Sequence, residues 1–164
     1  MSLFSRRKIL SLIALPVLLG ACGFSPIYSE GSAASALQGK LEITAGKGRE
    51  YFEMRERLIE RFGFANDPRY TLTFSYIVNS EGLAVSSTAE ITRYNLDGIS
   101  DFKITDSNGV VVFSGNVKST TAYSATSETY PTQVAEQDAR SRLATALADQ
   151  IVTRVSATAS SWVK

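Results

Sequence analysis

No histidine occurs in this chain of 164 residues, and cysteine occurs once, at Cys22. The first absence excludes Ser-His-Asp and Cys-His catalysis and the usual zinc ligand sets, so neither a metal nor a cofactor is expected. The second excludes an internal disulfide, and Cys22 therefore needs another purpose. Proline is scarce, at four residues, and no apolar run reaches the roughly 20 residues that a membrane-spanning helix requires. Net charge is small as well, with 17 basic residues against 16 acidic ones. That balance lacks the basic footprint of a nucleic-acid binder. Gly46-Lys47-Gly48 is not a phosphate loop, because the glycine spacing and the hydroxyl residue after the lysine are both missing. Carboxylates such as Glu90, Asp97 and Asp101 keep a hydrolase formally open. Nothing in the sequence pairs two of them for general acid–base work, so an enzyme is not expected.

What is present begins with a basic cluster in Met1 to Lys8, an apolar stretch from Ile9 to Leu19 interrupted by Ser11 and Pro16, and the small residues Gly20-Ala21. This is the three-part layout of a secretory signal. A core helix at this position would explain neither the basic cluster nor the small residues. Leu19-Gly20-Ala21-Cys22 resembles the lipobox of bacterial lipoproteins, whose cysteine thiol is alkylated by diacylglycerol. The resemblance implies a signal peptide over residues 1–21 and lipidation at Cys22. It also implies several acyl chains, which anchor stably where a single chain does not. Removing Arg6, Arg7 and Lys8 with the signal leaves 143 residues, 14 basic against 16 acidic, a balance of −2. Ser5-Arg6-Arg7-Lys8-Ile9-Leu10 also resembles a twin-arginine motif, so both export routes fit. Gly23 stands where an aspartate would signal inner-membrane retention, and this favours the periplasmic face of the outer membrane.

Ser29 to Gly39 is small and polar, a composition that cannot bury enough apolar surface to order itself. A lipidated N-terminus and flexible tether over 22–39, followed by a single domain over 40–164, is the expected organisation. Leu41 to Thr44 alternates and reads as a short strand. From Arg49 to Phe62, Tyr51, Met54, Leu58 and Phe62 form one helical stripe with Phe52 and Ile59 beside it. Because the polar face mixes acids with bases, core packing is favoured over a membrane-surface helix. Tyr70 to Val78 alternates with period two, and Ser80-Glu81-Gly82 reads as a turn. Leu83 to Leu96 then reads as extended, with Asp97-Gly98 a bulge or turn. Asp106-Ser107-Asn108-Gly109 marks a hairpin whose two-residue loop would leave Phe102, Ile104, Val111 and Phe113 on one face. Ser114 to Thr129 continues as polar strand and loop.

Pro131 opens a long helix, since proline is tolerated in the first turn. In it Ala135, Ala139, Leu143, Leu147, Ile151 and Val155 recur every fourth residue, flanked by Ala146 and Ala148. Trp162 either folds back on the domain or fits a partner. The predicted fold class is α+β, a two-layer sandwich with two helices packed on one face of a mostly antiparallel sheet of about four strands.

Three pieces carry a family resemblance: Cys22 to Tyr28 (Cys-Gly-Phe-Ser-Pro-Ile-Tyr), Arg93-Tyr94-Asn95-Leu96, and the segment from Tyr123 through Ala135-Glu136-Gln137-Asp138-Ala139 to Ile151. In their order and spacing they resemble the lipopolysaccharide-assembly lipoprotein LptE family, in particular its alphaproteobacterial branch. The resemblance implies two helices on a four-stranded sheet, in agreement with the periodicity. It also implies a non-enzymatic outer-membrane lipoprotein that plugs and helps assemble an LptD-type β-barrel, and that helps deliver lipopolysaccharide to the cell surface. The implied partners are that barrel, lipopolysaccharide and the membrane through the lipid, with no nucleic acid.

Basic residues near one end of the sheet are implied to touch the glycolipid, and Arg93, Lys103 and Lys118 are the candidates on strands. Against that stands a reading of all three as solvated residues or contacts with the barrel wall. The balance of −2 requires any anion site to be local. An alternative function is an envelope lipoprotein that binds a small ligand or another envelope protein without a role in lipopolysaccharide transport. The polar, serine- and threonine-rich face of the sheet is expected to meet the barrel's inner wall or its water-filled lumen.

Overall fold

The computed structural model describes residues 32–85 and 91–163. Cys22, the export segment and Glu90 lie outside the described residues. The first element is a single turn, α1 (Ala33–Ala36), capped by Ser32, whose Oγ accepts the Ser35 N–H at 3.1 Å. Ala34 and Leu37 are buried in the core. The second half of the stretch read as a tether is therefore packed structure. One leucine and two alanines among small residues are enough to dock a turn when a core already waits beside it.

Strand β1 (Leu41–Thr44) leads into α2 (Arg49–Phe62), then β2 (Tyr70–Phe74), β3 (Ile77–Val85), β4 (Ile91–Asp106) and β5 (Val111–Ser124). A 30-residue helix, α3 (Thr129–Thr158), and a short 3-10 turn (Ala159–Ser161) close the chain. β1 runs parallel to β2, with α2 as the crossover, and every other pairing is antiparallel. β2 and β3 pair end to end along the same edge of β4, and β5 pairs along its other edge. Five strands thus make a sheet four strands wide. At the break, the Ser75 N–H donates to Asp101 O (2.8 Å), Ser75 Oγ accepts the Asp101 N–H (3.1 Å), and the Tyr76 N–H donates to Tyr51 Oη (3.1 Å).

Three sequence expectations are corrected by this register. Ser80-Glu81-Gly82 is not a turn but lies inside β3, opposite Leu96, Asn95 and Tyr94; a polar strand on a half-solvated sheet carries no apolar signal to distinguish it from a loop. Asp97-Gly98 neither bulges nor turns and pairs regularly on both sides. The β4–β5 loop is longer than two residues: Asp106 Oδ1 accepts the N–H groups of Asn108 and Val110, both at 2.9 Å, and Gly109 takes the positive φ of 78° that its lack of a Cβ permits. A register shift between Ile104 and Thr105 then turns Val111 away from the core, while Phe102 and Ile104 stay buried and Phe113 packs against them.

Both helices pack on one face. Met54, Leu58, Ile59 and Phe62 of α2 are buried, as the stripe predicts, whereas Phe52 is exposed. Along α3, Ala139, Leu143, Leu147, Ile151 and Val155 are fully buried, with Ala144 and Ala148 between them. The approach of α3 is set by small residues on β4: a Cβ at Gly98 would lie 2.9 Å from Leu143 Cγ. Gly115 serves likewise as the floor for the ring of Phe102, which would meet a Cβ there at 2.7 Å. Trp162 folds back, edge-on to Tyr70 at 5.4 Å and stacked on Phe113 at 6.1 Å. α2 and α3 are also tied outside the core, where the Arg57 fork donates to both oxygens of Asp149 at 2.9 and 3.1 Å. These hydrogen bonds hold the Arg57 guanidinium above its ordinary range.

Candidate functional site

The face of the sheet opposite the helices is the one broad surface that no described element covers. Its composition follows from alternation. On β4, Leu96, Ser100, Phe102 and Ile104 are buried against the helices, so Asn95, Asp97, Ile99, Asp101 and Lys103 point outward. On β5 the outward set includes Ser114, Asn116, Lys118 and Thr120, and on β2 it is Thr71 and Thr73. Cross-strand pairs order this surface. Thr120 Oγ1 donates to Asp97 Oδ1 and Asn116 Nδ2 donates to Asp101 Oδ1, each at 2.6 Å. Asp97 and Asp101, two of the three carboxylates that are formal catalytic candidates, are thus members of a polar ladder, four residues apart on one strand, about 13 Å.

Arg93, Lys103 and Lys118 all lie on this open face, paired with Ser124, Ser114 and Ile99. They are strung along it rather than gathered. Lys103 stands ten residues from Arg93 on the same strand, about 33 Å, and Lys118 lies between them. Lys103 borders a shallow hollow of about 300 Å³ at the β2–β3 break, with Ser75 and Asp101. Arg93 borders another of about 290 Å³ at the far end, whose lining also includes Asp138 and Arg142 from α3. Arg142 donates to Asp138 (2.9 Å), to Thr121 Oγ1 (3.1 Å) and to Ala122 O (3.4 Å). Read along the helix, Arg142 is half of a pair four apart with Asp138. Its place in the lining of the Arg93 hollow depends on where α3 crosses β5 and carries no local signal.

On the helical side, a groove of about 420 Å³ runs between α2 and α3, lined among others by Glu50, Glu53, Tyr130, Val134 and Arg140. Arg140 pairs with Glu136 at 2.7 Å, and that hydrogen bond raises the guanidinium above its usual range. Near these charges the buried Tyr76 hydroxyl finds no hydrogen-bond partner among the described residues. Its ionisation is pushed up to about 12, first by burial and then by the charge of Glu50. A tyrosine in the unfolded chain titrates near pH 10. The folded state therefore keeps a proton that the unfolded chain has lost, and the stability this contributes is whole below about pH 10 and disappears as pH rises toward 12. Tyr76→Phe has no such proton. It is expected to unfold at an equal or higher urea concentration than wild type at pH 8 and to lose less between pH 10 and 12, read from urea midpoints across that window. Burial also raises the Tyr123 phenol, with Glu136 adding to the effect.

Among the described residues no group of three or more acids or cysteines is placed to hold a metal ion, and no helix is long and apolar enough to cross a membrane. Two helices on one face of a sheet is a fold shared with small bacterial lipoproteins of known structure. A lipoprotein from Caulobacter crescentus superposes with a TM-score of 0.63 at 24% identity, covering 78% of this chain and 96% of its own. The minor lipoprotein of Acinetobacter baumannii gives 0.56 at 19% identity, over 73% and 90% of the two chains. Rare lipoprotein B of Shewanella oneidensis gives 0.57 at 14%, over 74% and 96%. No curated protein matches in sequence. The family model of LptE, described as lipopolysaccharide-assembly, matches residues 40–155, and the chain belongs to that family. That family's description is of lipopolysaccharide assembly.

Proposed function

We propose that this protein is held at the periplasmic face of the outer membrane by lipid on Cys22, once residues 1–21 are removed, and that it plugs and helps assemble an LptD-type lipopolysaccharide-export barrel. The observation that carries the reading is the bare sheet face. A surface four strands wide, covered with threonine, serine, asparagine and charges of both signs, is suited to a wet partner wall. It is too polar for a dry, obligate interface. Of the three basic candidates, Arg93 is the one bordering a hollow that a second arginine also lines, with Asp138 as a further member of the lining, so that hollow is the local site proposed for a phosphate or carboxylate of the glycolipid. Lys103 and Lys118 then serve as contacts to the barrel wall or as solvated residues.

Photo-crosslinkers at Asp101, Asn116 and Thr120 on the open face, and at Thr145 on the helical side, test this in cells that make the lipidated protein. The expected result is a large β-barrel adduct from the first three positions and none from the fourth. Failure of all three to trap a barrel would sink the plug reading. It would favour an envelope lipoprotein that binds another ligand, which depletion leaving surface lipopolysaccharide unchanged would support.

A further inference from the structure

β5 forms one edge of the sheet, paired with β4 and with no described strand along its other side. Two observations fix which of its backbone groups face outward. On β4, the N–H and C=O of Asp101 are both spent on Ser75, away from β5, so Asn116, which stands opposite Asp101, turns its own N–H and C=O to the outer edge. Ala122 faces outward too, since its carbonyl accepts from Arg142 of α3. Backbone direction alternates along a strand as side chains do, so Ser114, Asn116, Lys118 and Thr120 each present a donor and an acceptor at the edge. Among the described residues no hydrogen bond reaches these groups. Both ends of the edge are guarded: a register shift leaves Val112 unpaired and twists the strand at one end, and Arg142 caps the Ala122 carbonyl at the other. Residues 114–120 between them make about 23 Å of strand, with no proline, no bulge and one charge, Lys118. A stretch of that kind is a template for another chain.

We propose that this edge receives a further strand, an extended segment of the barrel partner that pairs with residues 114–120 and sets an acidic side chain opposite Lys118. The inference rests on the reading of the domain as a barrel plug. Strands of a closed barrel satisfy one another all round, so the added segment comes from a loop or a chain end reaching into the lumen rather than from the wall itself. Backbone hydrogen bonds supply the affinity, and the alternating side chains supply the selectivity. Lys118 sets the charge of the occupant, because it is exposed and belongs to no ion pair among the described residues. A carboxylate directly across from it is the favourable neighbour. A second copy of this chain supplies none. In the two-fold register that uses all four outward residues, Lys118 faces Asn116 of the other copy and lies diagonal to a second Lys118, a like charge about 7–8 Å away.

Amide hydrogen exchange reads the pairing directly. The full chain, lipidated by its host, is compared alone in detergent and in the complex recovered with its barrel from native outer membranes, with exchange resolved to single residues by electron-transfer fragmentation. The amides of Ser114, Asn116, Lys118 and Thr120 are expected to exchange fast in the protein alone and to slow by about 100-fold or more in the complex. Those of Gly115, Val117, Ser119 and Thr121, which face β4, are expected to be slow in both. Outward amides that stay fast in a complex containing the barrel would overturn strand addition and leave the plug reading intact. Protection already present in the protein alone would mean that this chain or a second copy of it covers the edge, which overturns the proposal as well. Recovery without any barrel would end the plug reading and this inference together. In the complex, Lys118→Glu should raise exchange at positions 114, 116 and 120 by about fivefold, the size of a like-charge pair set directly across. Unchanged rates there would overturn the acidic occupant.

Discussion

Leu143→Ala is expected to destabilise the domain by about 2–5 kcal/mol, the range for truncating a fully buried leucine. The site has little means of collapsing, because Leu143 stands directly over Gly98, with Cγ and Cδ2 both 2.9 Å from where a Cβ would be. On one side of the lost side chain is sheet backbone, and on the other a helix held by the buried neighbours Ala139, Leu147 and Ile151. The opposite change, Gly98→Ala, drives a methyl into Leu143 and Leu147 and should cost about 1–3 kcal/mol through overpacking. If the two sites meet as described, the double variant will be less destabilised than the sum of the singles, since the new methyl occupies part of the space vacated by leucine. Urea unfolding of the four proteins measures the cycle. Simple additivity would mean that α3 does not cross β4 at Gly98.

That crossing also explains what could and could not be read from the chain. The stripe of α3 was legible because its residues recur every fourth position and all of them meet one surface. α2 was legible for the same reason, apart from Phe52, whose place beside the stripe says nothing about whether a neighbour reaches it; it does not, and Phe52 is exposed. The fold class followed from these two helices and the alternation of β2. The strand count was legible only in part, since β2 and β3 lie end to end on one edge of β4, an arrangement set by tertiary pairing rather than by local pattern.

Polar strands carry the least local signal. Ser80-Glu81-Gly82 and Asp97-Gly98 have turn composition, yet both are held straight by partners on a sheet whose outer face is wet. Gly98 is there to admit Leu143, a tertiary reason that composition cannot express. Alternation alone puts Val111 on the core side, and a bulge after Ile104 reverses it. At the candidate site, Arg93, Lys103 and Lys118 do share a face, as strand periodicity requires once the buried alternates are known. Their separation along it, and the presence of Arg142 in the lining of the hollow that Arg93 borders, depend on register and helix crossing. Those are the properties that one sequence leaves free.

Cys22→Ala is expected to move the protein from the membrane fraction to the soluble periplasm, with a mature mass that lacks lipid, while the domain stays as stable as wild type to within about 0.5 kcal/mol. The two halves of this expectation separate address from fold. The described packing begins at Ser32, ten residues beyond the cysteine, and the buried residues nearest the anchor are Ala34 and Leu37. Every core contact among the described residues lies downstream of that thiol. What the substitution removes is confinement: a tethered domain meets membrane-borne partners at an effective concentration that a free one cannot match, so recovery with a β-barrel should fall steeply although every contact surface is unchanged. Raising the soluble variant's concentration should then restore the association, because only the local concentration was lost. If the variant unfolds instead, Cys22 belongs to the fold and the lipidation reading fails. If it folds, stays soluble and finds no barrel at any concentration, the anchor reading survives, and the bare polar face must have a different partner.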